Sequence, residues 1–326
     1  MKEKFGGGTL MNYIGIDLGG TKILGALFDE KGEVLYKGKK KTKAKEGIEA
    51  VERQLFSLID DLIKANKKEE IKAIGIGVPG LVDTKTGTVK FAPNITMNNY
   101  PIGKIIKDKY NLDVFVGNDV NVGTLGEWKY SLGGKTNNLI GIFVGTGIGG
   151  GIIINNKLFE GSTGLAGEIG HMTIDSSGAI CGCGSRGCLE AVASKTGIQA
   201  EIEARIKRGD STLIKESLMK EGILKSGPLK DAYKKGDLVV IESIERAAKY
   251  LGIGVANLIN IFDPEVIVFG GGIIEELGDI IMPIVQEEAR RYAMKNIFEN
   301  VLFQKAKLGD DAGIIGALTL AQEGAR

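Results

Sequence analysis

The stretch Tyr13-Ile14-Gly15-Ile16-Asp17-Leu18-Gly19-Gly20-Thr21-Lys22-Ile23 decides the fold. Its apolar run reads as a buried strand ending in a glycine turn, and Ile23 to Phe28 reads as the hairpin partner. A second copy begins 126 residues later, where Ile140-Gly141-Ile142 and Gly145 stand for Ile14-Gly15-Ile16 and Gly19. Its turn is Gly145-Thr146-Gly147-Ile148-Gly149-Gly150-Gly151, followed by the strand-like run Ile152 to Ile154. Each copy opens a half in which strands alternate with helices. The expectation is an α/β fold of two related lobes, with a cleft where the glycine turns face each other.

Working outward, helical periodicity covers Gly47 to Ala65, Ile102 to Tyr110, Val120 to Tyr130, Leu189 to Lys207, Ser211 to Lys220, Leu238 to Phe262, Ile273 to Ala293 and Ala312 to Ala321. Short apolar runs predict strands at Ile71–Val78, Val114–Val116, Leu139–Val144, Gly151–Asn155, Val266–Phe269 and Val301–Lys305. Val34 to Lys45, with Lys31, carries seven lysines. It reads as a solvated edge strand guarded by charge, with an anion-binding patch as the alternative. The segment from Ile198 to Gly236 is charged and carries no motif.

Composition narrows the function. Lys plus Arg number 42 against 41 Asp plus Glu, a net charge of +1 that argues against a dedicated nucleic-acid binder. The longest uncharged stretch, Thr136 to Asn156, holds six glycines and is a poor membrane span. The first ten residues lack an apolar signal core, and Met11 offers an alternative start, so a cytoplasmic protein with reduced thiols is expected. Glycine, 49 of 326 residues, is about twice its usual share, which suits many tight turns.

The two turns suit phosphate. Backbone N–H groups in a turn without bulky side chains cradle anions, and Thr21 and Thr146 add hydroxyl donors. Gly19, Gly20, Lys22, Gly145 and Gly147 belong to the same turns, and Gly271 lies in the glycine run that ends the Val266–Phe269 strand. Asp17 is placed to hold Mg²⁺ through water, since that ion keeps most of its hydration. The second turn matches the dinucleotide pattern G-x-G-x-x-G only formally, because a strand follows it where that pattern needs a helix.

A metal constellation is more specific. His171 is the single histidine, and Cys181, Cys183 and Cys188 are the only cysteines, all inside 18 residues. Four such ligands suit a closed tetrahedral structural Zn²⁺ site. Glu168 and Glu190 flank it, and with the second ring nitrogen of His171 they make a set suited to polyol hydroxyls.

These segments, with Gly77-Val78-Pro79-Gly80, Gly117-Asn118-Asp119-Val120-Asn121 and Gly167-Glu168-Ile169-Gly170-His171, resemble the ROK family (repressor, open reading frame, kinase), and most of all its bacterial glucokinases. The resemblance runs from about Tyr13 to the end. It implies a two-lobed actin-like, ribonuclease-H-like ATPase fold. Residues 11–117 with 311–326 would form a smaller lobe carrying the first phosphate turn, and 118–310 a larger one carrying sugar site, zinc loop and second turn. It also implies ATP and Mg²⁺ as cofactors and Asp119 as catalytic base. Asn118, Glu168, His171 and Glu190 would bind sugar, with Gly80 and Asn94 lining the pocket, while Gly20, Thr21 and Thr146 would meet phosphates. Glucose is the expected acceptor; fructose, mannose, N-acetylglucosamine and N-acetylmannosamine are alternatives. Leu81 counts against the last of these, because such kinases place a basic residue there. A non-catalytic sugar sensor is the second reading and a zinc module for nucleic acid the third. About a dozen residues before Tyr13 are too few for a family repressor's helix-turn-helix, which favours the enzyme. A homodimer or homotetramer is expected, as the family commonly forms.

Overall fold

The structure, a computed structural model, describes residues 11–67 and 69–325. The proposed N-terminal extension, residues 1–10, lies outside them. In chain order the elements are β1 (Met11–Leu18), β2 (Lys22–Phe28), β3 (Val34–Lys41), α1 (Ile48–Ala65), β4 (Glu70–Val78), β5 (Leu81–Asp83), β6 (Thr88–Ala92), β7 (Met97–Tyr100), α2 (Ile102–Tyr110), β8 (Asp113–Asn118) and α3 (Asp119–Gly126). There follow β9 (Leu139–Val144), β10 (Ile148–Ile154), β11 (Lys157–Leu158), α4 (Leu189–Ala193), α5 (Lys195–Lys207), α6 (Lys215–Glu221), α7 (Ser226–Lys234) and α8 (Leu238–Phe262). The last are β12 (Val266–Gly270), α9 (Gly272–Tyr292), α10 (Lys295–Phe298), β13 (Leu302–Lys305) and α11 (Ala312–Gly324).

The chain divides into two compact units. The first comprises residues up to Lys135, Glu160–Ala166 and Asp310 onward; the second comprises Thr136–Phe159 and Gly167–Gly309. The first therefore runs past the boundary expected at residue 117. It keeps α3, because Gly126 and Val122 press on the backbone of α11.

The first unit is built on a sheet of order β3-β2-β1-β4-β8, with β1–β2 antiparallel and β1–β4–β8 parallel. On one face α1 buries Val51, Leu55, Leu58, Ile59 and Leu62 against Ile14, Ile16, Ile74 and Ile76. The other face is glycine where α11 crosses it. Gly15 and Gly75 are paired in register, and a Cβ on Gly75 would lie 1.8 Å from the Ala317 carbonyl oxygen. No side chain fits there, so the glycines let the helix backbone sit on the sheet. Gly75→Ala is expected to cost at least about 3 kcal/mol, because overpacking against backbone cannot be relieved by a rotamer change. A urea-denaturation midpoint close to wild type would refute that packing.

The second unit repeats the plan. Its sheet order is β11-β10-β9-β12-β13, with β9–β10 antiparallel and β9–β12–β13 parallel. The sequence echo is therefore a structural one: β1 corresponds to β9, each at the centre of an equivalent five-stranded sheet. Helices α8 and α9 fill the core with Ile244, Leu251, Val255, Ile274, Leu277 and Val285.

Several elements depart from expectation. The helix expected from Val120 to Tyr130 ends at Gly126 and continues as a π-turn, Glu127–Ser131, closed by Leu132 N–H on the Glu127 carbonyl. The helix expected from Leu189 to Lys207 breaks at Ser194, a buried residue whose hydroxyl caps α5 by accepting from Gly197 N–H at 3.1 Å. The helix expected from Ser211 begins at Lys215. Asp237 takes the Thr212 hydroxyl and the Leu213 N–H, each at 2.7 Å, and holds that stretch as a turn. The sheet β5-β6-β7 and helix α7 were not foreseen. Among the described residues, no helix is long and apolar enough to cross a membrane.

Candidate active site

In the first unit, β1 delivers Asp17 to the mouth of the turn. Gly19 N–H donates to the Lys22 carbonyl at 3.0 Å, closing the hairpin. Thr42, fully buried just past β3, holds the turn from behind. Its hydroxyl donates to the Gly19 carbonyl at 2.6 Å and its N–H to the Thr21 carbonyl at 3.0 Å. Nothing in the sequence marks this threonine among the lysines. Asn94 sits over the same turn, 3.4 Å from where a Cβ on Gly20 would lie. Strands β5 and β6 span the chain between Gly80 and Asn94, and β7 follows it.

At the end of β8, Asn118 caps α3. Its Oδ1 accepts from Val120 N–H at 2.9 Å and Asn121 N–H at 3.1 Å, and its Nδ2 donates to the Gly80 carbonyl at 3.0 Å. Asn118 is thus the cap of α3, and its side chain is largely committed to the scaffold. Asp119 opens the helix as its first residue, a position where the helix dipole favours a carboxylate.

Asp17 and Asp119 feel each other. Burial first, then the charge of Asp119, push the Asp17 carboxyl up to about 6, with Lys22 opposing and Asp310 adding to the rise. Lys22 Nζ pairs with Asp310 at 2.6 Å. An acid whose folded pKa is raised resists ionisation in the native state. Without nucleotide or Mg²⁺, Asp17 therefore subtracts stability as pH rises from about 4 through about 6, by ~3 kcal/mol once fully ionised. Asp17→Asn is expected to raise stability at pH 8 by up to that amount and to leave it unchanged near pH 3.5. Equal denaturation midpoints for the two proteins at pH 8 would show that Asp17 carries no such penalty.

The second unit links its candidates through contacts. Gly271, at φ 85°, lets the start of α9 pass Val144, whose carbonyl oxygen would lie 2.6 Å from a Cβ there, next to Gly145. The Gly145–Gly147 turn is tied to the start of α5, where the Thr196 hydroxyl donates to the Thr146 carbonyl at 2.8 Å and Lys195 N–H to Gly145 at 3.0 Å. Thr196 and the capping Ser194 are further supports the sequence reading missed. Glu190, in the first turn of α4, accepts from Ile148 N–H at 2.9 Å, and its other oxygen lies 3.6 Å from Cys181 Sγ. One carboxylate thus joins the second phosphate turn to the cysteine loop.

In that loop the ligand atoms of His171, Cys181, Cys183 and Cys188 lie within 4.8 Å of one another. His171 Nδ1 is 3.7 Å from Cys181 Sγ, and Cys183 Sγ is 3.8 Å from Cys188 Sγ. A tetrahedron with Zn–S bonds of about 2.3 Å has edges of about 3.8 Å, so the residues fit the ion. Burial pushes the Cys181 thiol up to about 12, whereas hydrogen bonds from Ser185 bring Cys183 down to about 7. With Nδ1 turned to the thiols, His171 Nε2 faces Glu168, 3.9 Å from its carboxylate. This is the orientation a polyol-binding pair needs.

The ROK family model matches residues 13–324. The chain belongs to the ROK family. A xylose repressor from Caldicellulosiruptor bescii is 37% identical over 313 residues, which cover 95% of this chain and 77% of the repressor. A glucokinase from Halalkalibacterium halodurans is 35% identical over 319 residues, covering 95% of each. Among solved structures, the ROK glucokinase from Streptomyces griseus in complex with glucose and AMPPNP is 33% identical, with a TM-score of 0.79 over 96% of this chain and 100% of that one. The expected α/β actin-like class is therefore the class observed, and ROK glucokinases are among the relatives of this chain.

Proposed function

We propose that this ROK protein is an ATP-dependent hexose kinase whose acceptor is glucose, giving glucose 6-phosphate. The observation that carries the reading is the pairing of Asp119 with the first glycine turn inside one compact unit, where its charge reaches Asp17. A sugar hydroxyl is a weak nucleophile at neutral pH. Asp119 accepts its proton as the oxygen attacks the γ-phosphorus. Phosphoryl transfer otherwise depends on positioning and on stabilising the phosphate oxygens. In this reading the N–H groups of Gly19, Gly20, Gly145 and Gly147, the hydroxyls of Thr21 and Thr146, and Lys22 hold phosphates. Gly271 gives a close approach to the rest of the nucleotide, and Asp17 holds Mg²⁺, which would neutralise phosphate charge. Glu168, His171 and Glu190 take sugar hydroxyls, with Gly80, Asn94 and the second amide hydrogen of Asn118. His171, Cys181, Cys183 and Cys188 would hold a structural zinc ion that fixes the imidazole.

The xylose repressor relative favours a second reading, a sugar sensor that does not turn over. A coupled assay with ATP and Mg²⁺ over glucose, fructose, mannose, N-acetylglucosamine, N-acetylmannosamine and xylose separates the two. Turnover highest with glucose is expected. Saturable sugar binding with no turnover on any of them would establish the sensor.

A further inference from the structure

We propose that Glu190 couples the two substrates, so that sugar and nucleotide each tighten the binding of the other. This rests on the kinase reading above, in which Glu190 takes a sugar hydroxyl and the Gly145–Gly147 turn takes phosphate. The two oxygens of the carboxylate serve different neighbours. Oε2 accepts from Ile148 N–H at 2.9 Å, at the exit of the turn. Oε1 lies 3.6 Å from Cys181 Sγ, and that sulfur is 3.7 Å from His171 Nδ1. Carboxylate and imidazole thus flank one sulfur, and one carboxylate reaches both the sugar set and the phosphate turn.

Gly147 is what lets the carboxylate in. A Cβ there would stand 2.2 Å from Oε2, 3.1 Å from the carboxyl carbon and 3.9 Å from Cγ, its three nearest atoms all belonging to Glu190. The φ of Gly147 lies outside the left-handed region, so its backbone angle does not require a glycine.

The same corner of the chain grips the turn from its carbonyl side. Lys195 N–H donates to the Gly145 carbonyl at 3.0 Å. Thr196 donates to the Thr146 carbonyl twice, through its hydroxyl at 2.8 Å and its N–H at 3.3 Å. Glu190 and this grip belong to one piece of chain. The Glu190 carbonyl accepts from Ser194 N–H at 3.2 Å, and a Cβ on Gly197 would lie 2.7 Å from the Ala191 carbonyl oxygen, so α5 is packed onto α4 backbone to backbone.

A turn that binds phosphate must be held still, and the group holding its exit is also a sugar ligand. A sugar hydroxyl bonded to Glu190 fixes the carboxylate, which keeps Ile148 N–H and the turn in place before phosphate arrives. Phosphate that orders the turn holds the carboxylate in return. Whichever ligand binds first bears the ordering, and the second meets a site already formed. By thermodynamic linkage the same factor appears in both affinities.

The test titrates the full chain calorimetrically, in Mg²⁺, with the hexose it turns over fastest, with and without a saturating non-hydrolysable ATP analogue, and then in the reverse order. The sugar dissociation constant is expected to fall at least about fivefold with the analogue, and that of the analogue by the same factor with sugar. Gly147→Ala, whose Cβ displaces the carboxylate from Ile148, should bring both factors below about twofold. Glu190→Gln, read by analogue affinity at saturating sugar, should do the same. Thr196→Val loses the hydroxyl bond to Thr146 and leaves Glu190 in place. It should weaken the analogue about fivefold with the coupling factor unchanged, so a turn that is merely loosened does not imitate lost coupling. Wild-type affinities that ignore the other ligand overturn the inference, as does either Gly147→Ala or Glu190→Gln with the wild-type factor. Turnover without coupling removes the inference alone, whereas a protein that neither binds the analogue nor turns over any hexose removes the kinase reading itself.

Discussion

Asp119→Asn is expected to lower kcat by about 10²–10⁴-fold while sugar KM stays within about tenfold. The substitution keeps size and shape. An asparagine Oδ1 still accepts the Val120 N–H that Asp119 takes at 2.9 Å, and Asn118 still caps α3, so the helix start is preserved. What is lost is the ability to accept the hydroxyl proton. The change has an internal control, because it also removes one of the charges that raise Asp17, whose carboxyl should then titrate lower than about 6. Steady-state kinetics with a calorimetric sugar titration read the catalytic effect, and the pH dependence of unfolding reads the shift at Asp17. Turnover within tenfold of wild type would take the base role away from Asp119.

The second large effect concerns the loop from His171 to Cys188. Stripping metal with a strong chelator, or replacing buried Cys188 by serine, is expected to weaken sugar binding about 10–100-fold and to free the loop's amides for rapid hydrogen exchange. The loop contributes little apolar core of its own. Besides the ligand cluster it is held by backbone bonds, such as Ile174 to Gly187 at 2.7 Å and Gly187 to Ala179 at 2.8 Å, and by Arg186 donating to the Gly178 carbonyl at 2.9 Å, and Ile180 at its tip is 66% exposed. Losing the ligand cluster releases His171 from the Cys181 side and loosens the contact between Cys181 and Glu190. Amides of β9 and β12 should stay protected, since they lie in the sheet of the same unit with Ile142 and Phe269 fully buried. Elemental analysis of active protein showing no zinc, or unchanged sugar KM after chelation, would rule out this role for the cluster.

Much of this was legible in the residues because the informative ones are local and redundant. The Ile-Gly-Ile echo pointed to two related halves, and each copy is the central strand of a five-stranded sheet of the same order. The helix expected from Leu238 to Phe262 has those bounds, since its apolar period is long and Asp237 caps it. The four candidate metal ligands were visible because no other histidine or cysteine exists to confuse them. What escaped depends on contacts between distant segments. Thr42 matters through the backbone of Gly19 and Thr21, and Asp237 reaches back to Thr212 and Leu213. Ser194 ends one helix and starts another inside a single apolar pattern. The short strands β5 to β7 lack a clear alternation, and their pairing is fixed by one another.

The placement of α11 has a consequence for synthesis. Its backbone covers the glycine stripe of the first sheet, yet the whole second unit is translated before it. While the ribosome is still making the later strands, the first sheet carries α1 on one side and, on the other, only α3, whose Val122 packs at Gly77 and Gly117. The nascent chain must therefore wait, with that face open to chaperones or to mispairing, until its final helix emerges and lets the amino-terminal half finish folding.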